Sequence, residues 1–277
     1  MMIASGSADC TVKIWDLSTE LNVATLSDHT EAVTALCFSP CGTWLASGSA
    51  DCSISIWECD TWMKLRAIGG HTSSVQSVAF DSASERLVSS SFDGTVRVWR
   101  LWACGGAVEE LSIAHSSSAG LLCAEFVDDL IVVISAVSDV LSLCIEYFEC
   151  SSGEQLSSVP RCHRVIGINP DNDCQKCIRV VGEGQEAAGV QIGQSSKTSL
   201  LLERGDGSSN SWRTEDNTLS LLGSILMCPK SKQTRVIVAY RHDYIQATLD
   251  GKATYLTGHT GRVISAAFRP QSTGTYI

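Results

Sequence analysis

The sequence predicts an all-β protein built from repeated units of about four short strands, and three observations carry that reading. First, residues recur at a fixed interval of 42: Trp15, Trp57 and Trp99 do so, as do Asp9, Asp51 and Asp93, His29 and His71, and Phe38 and Phe80. Second, runs such as Val12-Lys13-Ile14-Trp15, Ile54-Ser55-Ile56-Trp57 and Val96-Arg97-Val98-Trp99 alternate with the period of two that marks half-buried strands. Third, turn formers divide these runs: Ser39-Pro40-Cys41-Gly42, Ala50-Asp51-Cys52 and Phe92-Asp93-Gly94. No comparable stretch carries a long capped apolar stripe at helical spacing, so helix content is expected to be low.

Composition narrows the class. The chain has 277 residues, 44% hydrophobic and 18% charged, a globular balance that excludes wholesale disorder, collagen and coiled coil. Its longest strongly apolar stretch, Leu130 to Ser138, falls well short of the roughly 20 residues a membrane helix needs. The first residues, Met1 to Ser7, lack the basic and apolar regions of a signal peptide. Thirteen cysteines, an odd number with no secretory signal, read as reduced thiols in the cytoplasm or nucleus. Cys37 beside Phe38 and Cys144 beside Ile145 suit packing as small hydrophobes.

Charge is unevenly spread over the net −10. Residues 1–100 carry −5, residues 101–160 carry nine acids and no Lys or Arg, and residues 161–277 carry +4. Nucleic-acid binding needs Lys and Arg to displace counterions from phosphates, so this chain is not expected to bind nucleic acid. The acidic stretch suits a basic partner segment or solubility alone.

The second unit, His29 followed by Ala46-Ser47-Gly48-Ser49-Ala50-Asp51 and Ile54-Ser55-Ile56-Trp57-Glu58, resembles the WD40 repeat family. The first unit matches it through Ala4-Ser5-Gly6-Ser7-Ala8-Asp9 with Trp15-Asp16, and the third through Gly70-His71, Asp93 and Trp99-Arg100. The resemblance implies a WD40-type β-propeller of four-stranded blades as one domain over residues 1–277, with repeats secure over 1–110 and 258–277. Residues 111–257 diverge. A fourth unit is placed on His115, Ser135 and Asp139 with Ile145 at the Trp position, a fifth around Ile178 to Ile192, and a sixth on Asp243, Leu249 and Asp250 before Gly258-His259. That spacing gives six blades where seven are more common in the family. The last segment opens a repeat and Ile3-Ala4-Ser5 resumes one, so the two ends are expected to share a blade. The alternative is a fragment of a longer WD-repeat protein.

Four residue sets invite chemistry. Each good repeat holds Ser, His, Asp and Trp at fixed offsets: His29, Ser47, Asp51 and Trp57; His71, Ser89, Asp93 and Trp99; and Ser5, Asp9 and Trp15 with His259 from the far end. Ser, His and Asp together suggest a hydrolase. Repetition argues against it, because a catalytic site is needed once and a structural device in every unit. The resemblance implies a hydrogen-bonded tetrad in which Asp holds His, His meets Ser, and Ser reaches the indole N–H. Next, Gly182 and Gly184 follow the strand Ile178 to Val181, and Glu203 comes 21 residues after Gly182. In a dinucleotide-binding unit they would approach a pyrophosphate and hold the ribose, provided a helix runs from about Gln185 to Gln194. Cys162-His163 with Cys174 and Cys177 could offer zinc ligands, although a lone C-x-x-C lacks its second knuckle, and no metal is expected.

The last set concerns partners. Asp128, Asp129, Glu146 and Glu149 in the acidic stretch could steer a basic segment. By the resemblance, Asp28, Glu31, Phe92, His242 and Arg262 line the loop face, where Phe92 replaces Ala8 and Ala50 of the earlier repeats. The sequence therefore predicts a non-enzymatic scaffold without cofactor or membrane attachment, binding a protein or peptide within a complex. A dinucleotide-binding enzyme built on Gly182, Gly184 and Glu203 is the competing reading.

Overall fold

The computed structural model describes residues 2–101, 108–114, 121–127, 130–136, 143–162, 164–170, 176–181, 188–191, 243–249 and 252–270. Every regular element among them is a strand: β1 (Met2–Ser7), β2 (Thr11–Asp16), β3 (Leu21–Ser27), β4 (Val33–Phe38), β5 (Trp44–Ser49), β6 (Ile54–Glu58), β7 (Lys64–Ile68), β8 (Val75–Phe80), β9 (Arg86–Ser91), β10 (Thr95–Arg100), β11 (Val108–Ala114), β12 (Leu121–Val127), β13 (Leu130–Ala136), β14 (Leu143–Glu149), β15 (Gln155–Cys162), β16 (Arg164–Pro170), β17 (Lys176–Val181), β18 (Ala188–Gln191), β19 (Tyr244–Leu249), β20 (Lys252–Thr257) and β21 (Val263–Phe268). No helix among the described residues is long and apolar enough to cross a membrane.

The strands form antiparallel sheets. Four are four-stranded, in the orders β21-β1-β2-β3, β4-β5-β6-β7, β8-β9-β10-β11 and β12-β13-β14-β15, and here called the first to fourth sheets. A three-stranded sheet, β16-β17-β18, and the β19-β20 hairpin complete the set. In the first sheet the two ends of the chain meet, with Ile3 opposite Phe268 and Gly6 opposite Ser265.

The core lies between consecutive sheets. Val12, Ile14 and Leu26 of the first pack with Leu36, Leu45 and Trp57 of the second. Ile54, Ile56 and Ile68 of the second pack with Phe80, Leu87 and Trp99 of the third. Val88, Val96 and Val98 of the third pack with Phe126, Ile131 and Phe148 of the fourth, and Ile245 and Leu256 cover Trp15. Burying such side chains is worth about 1.5–3 kcal/mol each, so the stacking of sheets dominates stability. Glycine sets how closely the sheets approach: a Cβ on Gly6 would stand 2.6 Å from Val33 Cγ1, and one on Gly48 2.7 Å from Val75 Cγ1.

Each hairpin over the repeated Asp turns through a three-residue loop. Cys10 N donates to Ser7 O at 3.1 Å, Cys52 N to Ser49 O at 3.3 Å and Gly94 N to Ser91 O at 3.2 Å. The residue after the Asp is left-handed in all three, with φ of 68° at Cys10, 69° at Cys52 and 81° at Gly94. A side chain costs about 1–2 kcal/mol there and glycine does not. Cys10→Gly and Cys52→Gly are therefore each expected to raise unfolding free energy by about 0.5–1 kcal/mol, read by urea denaturation.

The fourth sheet corrects the placement of Ile145 at the Trp position. In the first three sheets the register against the outer strand shifts immediately before Trp15, Trp57 and Trp99; in the fourth it shifts twice, between Leu143 and Ile145 and immediately before Phe148, and the facing residues decide between the two. Trp15, Trp57 and Trp99 face Ile3, Leu45 and Leu87, and Phe148 faces Ile131. The register against the inner strand likewise aligns Ser135 with Ser7, Ser49 and Ser91, which puts Val133 where the others have Ser5, Ser47 and Ser89. Thirteen positions separate Ser135 from Phe148 where eight separate Ser49 from Trp57, so the longer β13–β14 connection misleads a fixed-interval count. Both members of the polar pair, Ser and Trp, are replaced by apolar side chains, and the sheet keeps its packing without their hydrogen bond.

Residues 188–191 are strand, paired antiparallel to β17 with Ile178 opposite Val190. The dinucleotide reading needs helix there and a parallel return, so the local backbone contradicts it; alternation and two glycines around Val190 disfavour helix. Gly182, Gly184 and Glu203 lie outside the described residues, as do His163 and Cys174.

Among the described cysteines Cys59 and Cys150 are buried, Cys41 is exposed, and Cys10, Cys37, Cys52 and Cys123 are half-buried, all as free thiols. Burial pushes the Cys59 thiol up to about 12. Partial burial also acts upward on Cys41, but hydrogen bonds from Ser39, Ser84 and Thr43 outweigh it and bring this thiol down to about 7. Limited alkylation at pH 7.5 is expected to label Cys41 ahead of Cys59 by at least about tenfold, measured by peptide mass mapping.

Candidate functional site

Three Ser-His-Asp-Trp sets come together in the first three sheets. In the second, His29 Nδ1 lies 2.9 Å from Asp51 Oδ2 and Nε2 lies 2.8 Å from Ser47 Oγ, while Trp57 Nε1 donates to Ser47 Oγ at 2.9 Å. In the third, His71 is 2.8 Å from both Asp93 and Ser89, and Trp99 Nε1 donates to Ser89 Oγ at 2.8 Å. The first spans the whole chain: His259 lies 2.9 Å from Asp9 and 2.7 Å from Ser5, which accepts from Trp15 at 2.8 Å. Each Asp also accepts the backbone N–H of the residue after its histidine, Thr260, Thr30 or Thr72, at 2.9–3.0 Å.

The network fixes the histidine tautomer. The carboxylate can only accept, so Nδ1 donates to Asp; in the neutral ring Nε2 then carries no proton and accepts from Ser Oγ, which in turn accepts from the indole N–H. All three serine residues have 0% exposure. Their hydroxyls are consumed by two buried groups and stand away from solvent, so these sets satisfy interior polar atoms and present no nucleophile to a substrate.

Electrostatics reinforce this assignment. Burial lowers His71 and His259 below the ordinary 6.5, only partly opposed by Asp93 and Asp9. Burial pushes the carboxylates the other way, but it is outweighed by hydrogen bonds from Thr95, Thr72 and His71, which bring Asp93 down to about 2. Asp9 and Asp51 are likewise lowered, hydrogen bonds again outweighing burial. A depressed pKa means the unfolded chain binds more protons, so stability falls as the medium acidifies. Thermal melting is therefore expected to be insensitive to pH just above 7, to decline below about 6.5 as the histidines of the unfolded chain charge, and to decline further from 3.8 to about 2. A melting temperature that rises from pH 7 to pH 5 contradicts this.

The residues expected to meet partners divide. Glu31 and Arg262 are exposed beside their histidine loops, and Phe92 is 54% exposed in the turn beside Asp93. Asp28 stands at the surface but is engaged by the second sheet: it accepts from Lys64 Nζ at 2.5 Å and Ser55 Oγ at 2.7 Å. It occupies the place of Gly70 and Gly258, both left-handed, and these contacts are local replacements that spacing alone does not reveal. Glu146 is corrected from a surface acid to a buried one, 8% exposed and accepting from Gln155 Nε2 at 2.9 Å; it lies on the strand face shared with Phe148. Glu149 is half-buried, and Asp128, Asp129 and His242 lie outside the described residues. The nearby Glu109 and Glu110 pair with Arg97 and Arg100.

Two arginines that join sheets were not foreseen. Arg269 donates to Gly42 O at 2.9 Å and to Asp60 at 2.8 Å, tying β21 to the second sheet. Arg86 donates to Asp81 at 3.0 Å and lies over the Phe126 ring, tying the third sheet to the fourth. Their positions in the repeat are taken elsewhere by Ser39 and Trp44, and that departure from the pattern was the available signal.

A family model described as WD domain, G-beta repeat matches residues 1–16, 21–58 and 62–100. A search of curated proteins finds no match. The matched segments are the ones that carry β1 to β10 and contribute most of the three tetrads, and these matches across residues 1–100 support a WD-repeat family.

Proposed function

We propose that this chain is a non-enzymatic scaffold: a closed propeller whose loop face holds protein or peptide partners within a multiprotein intracellular complex. WD40 repeats generally mediate protein–protein interactions. The observation that carries the reading is the fate of the Ser-His-Asp sets, which are buried and used to fix loops, while Glu31, Phe92 and Arg262 on those loops stay exposed. Loops fixed in advance lose little entropy on binding. The pairing of β1 with β21 supports ring closure, because it builds one four-stranded sheet from distant parts of the chain.

The test is quantitative affinity capture with the wild-type chain and with Phe92→Ala and Arg262→Ala, alongside hydrolase and nucleotide-binding assays. A stoichiometric partner lost in a loop variant of unchanged melting temperature is the expected result. Turnover abolished by Ser47→Ala in a chain that remains folded overturns the reading.

A further inference from the structure

We propose that β3, the outer strand of the first sheet, pairs antiparallel with β3 of a second copy of this chain across a two-fold axis. This goes beyond the scaffold reading and does not depend on it. β3 ends the strand order β21-β1-β2-β3, and no described strand lies on its far side. Along it Leu21 is 64% and Val23 47% exposed. A strand edge offers a row of N–H and C=O groups to any strand that reaches it, and proteins guard such edges with charge or proline. The outer strands of the other four-stranded sheets are guarded in this way: β7 carries Lys64 and Arg66, β11 carries Glu109 and Glu110, and β15 carries Pro160 and Arg161. β3, Leu21-Asn22-Val23-Ala24-Thr25-Leu26-Ser27, has neither device. It is also braced to stand as an edge, since Asn22 Nδ2 donates to Ile14 O at 3.2 Å and Thr25 Oγ1 to Asn22 Oδ1 at 3.1 Å.

The charges beside this edge point to a second copy as its occupant. Lys13 reaches across from β2, and its Nζ donates to Thr25 Oγ1 at 3.1 Å, which sets a cation toward the C-terminal end of β3. Glu20 precedes the strand and accepts from Thr254 Oγ1 at 3.2 Å, which sets an anion at the N-terminal end. An antiparallel pairing centred on Asn22 puts Leu21 of each copy opposite Val23 of the other. It puts Glu20 opposite Ala24, next to the Thr25 that holds Lys13. Apolar side chains and opposite charges therefore meet twice, as a two-fold contact requires, and no like charges face each other along the strand. One strand per copy covers less than the roughly 1,200 Å² of stable complexes, so the dimer is a weak, concentration-dependent one.

The experiment is sedimentation equilibrium of the full chain over about 10–300 μM, where the mass is expected to rise from one copy toward two. Val23→Lys adds a charge at an exposed edge position; it should lower the association constant by at least about tenfold at an unchanged melting temperature. Lys13→Glu and Glu20→Lys should each weaken the dimer, because each sets like charges together at both ends of the contact. An equimolar mixture of these two variants should recover association, because opposite charges then meet at both ends. A chain that stays a single copy throughout, a dimer that Val23→Lys leaves unchanged, or a mixture that recovers nothing overturns the proposal. A single copy whose β3 amides resist hydrogen exchange equally at every concentration shows another segment of this chain on that edge, and overturns it as well.

Discussion

Trp57→Ala is expected to lower unfolding free energy by about 3–5 kcal/mol, the range for truncating a large buried aromatic. The side chain is 4% exposed and packs where the first and second sheets meet. Its removal also leaves Ser47 Oγ without the indole donor. Trp57→Phe separates the two effects. It keeps most of the volume and loses the N–H, so about 1–2 kcal/mol is expected, mostly from the lost hydrogen bond to Ser47 Oγ. At about 2–4 °C per kcal/mol for a chain of this size, the alanine variant should melt roughly 6–20 °C lower and the phenylalanine variant about 2–8 °C lower. Phe148→Trp gives the converse check: with Val133 opposite its hairpin neighbours, the new indole N–H finds no serine, and stability should fall by about 1–3 kcal/mol despite the added apolar area. A gain in stability there would show that packing alone governs this position.

Gly48→Val is expected to cost about 2–4 kcal/mol by forcing two sheets apart. The smallest side-chain atom already meets Val75 Cγ1 at 2.7 Å and Val78 Cγ1 at 3.3 Å, and Val75 is fully buried, so neither neighbour has solvent to retreat into. Gly48→Ala should cost about 1–3 kcal/mol, and combining it with Val75→Ala should recover a large part of that loss, because the second change removes the atom in collision. Strictly additive losses in this cycle would mean that the two residues do not press on each other. The third sheet shows why the rule is local to the pair of sheets: Ser90 holds the Gly48 position and uses its hydroxyl on Ser77 Oγ at 2.8 Å, while Ser77 ties across to Ala124.

Much of the first three sheets was legible because local signals agreed. Alternation placed the strands, Asp and Gly or Cys placed the turns, and the 42-residue interval of Trp15, Trp57 and Trp99 set the units. The tetrads were legible for the same reason: residues at equal offsets in equal hairpins must arrive at equal places. Beyond residue 110 that logic weakened. Val133 and Phe148 keep the shape of the Ser and Trp positions without their hydrogen-bonding groups, so nothing in their identity marks the repeat. Glu146 shows the opposite limit, since a carboxylate in a strand carries no sign of which face it occupies, and only pairing with Val133 and Gln155 puts it inside.

The amino-acid sequence by itself determined the all-β class, the repeat length, the turns and the sets of Ser, His, Asp and Trp, because these follow from backbone preferences and short-range spacing. Tertiary structure alone decided two further matters. It turned Asp28 toward Lys64, and it set Phe148 in place of a tryptophan. Each depends on register between strands, and register is fixed by bulges, loop lengths and the buried faces of neighbouring sheets acting together.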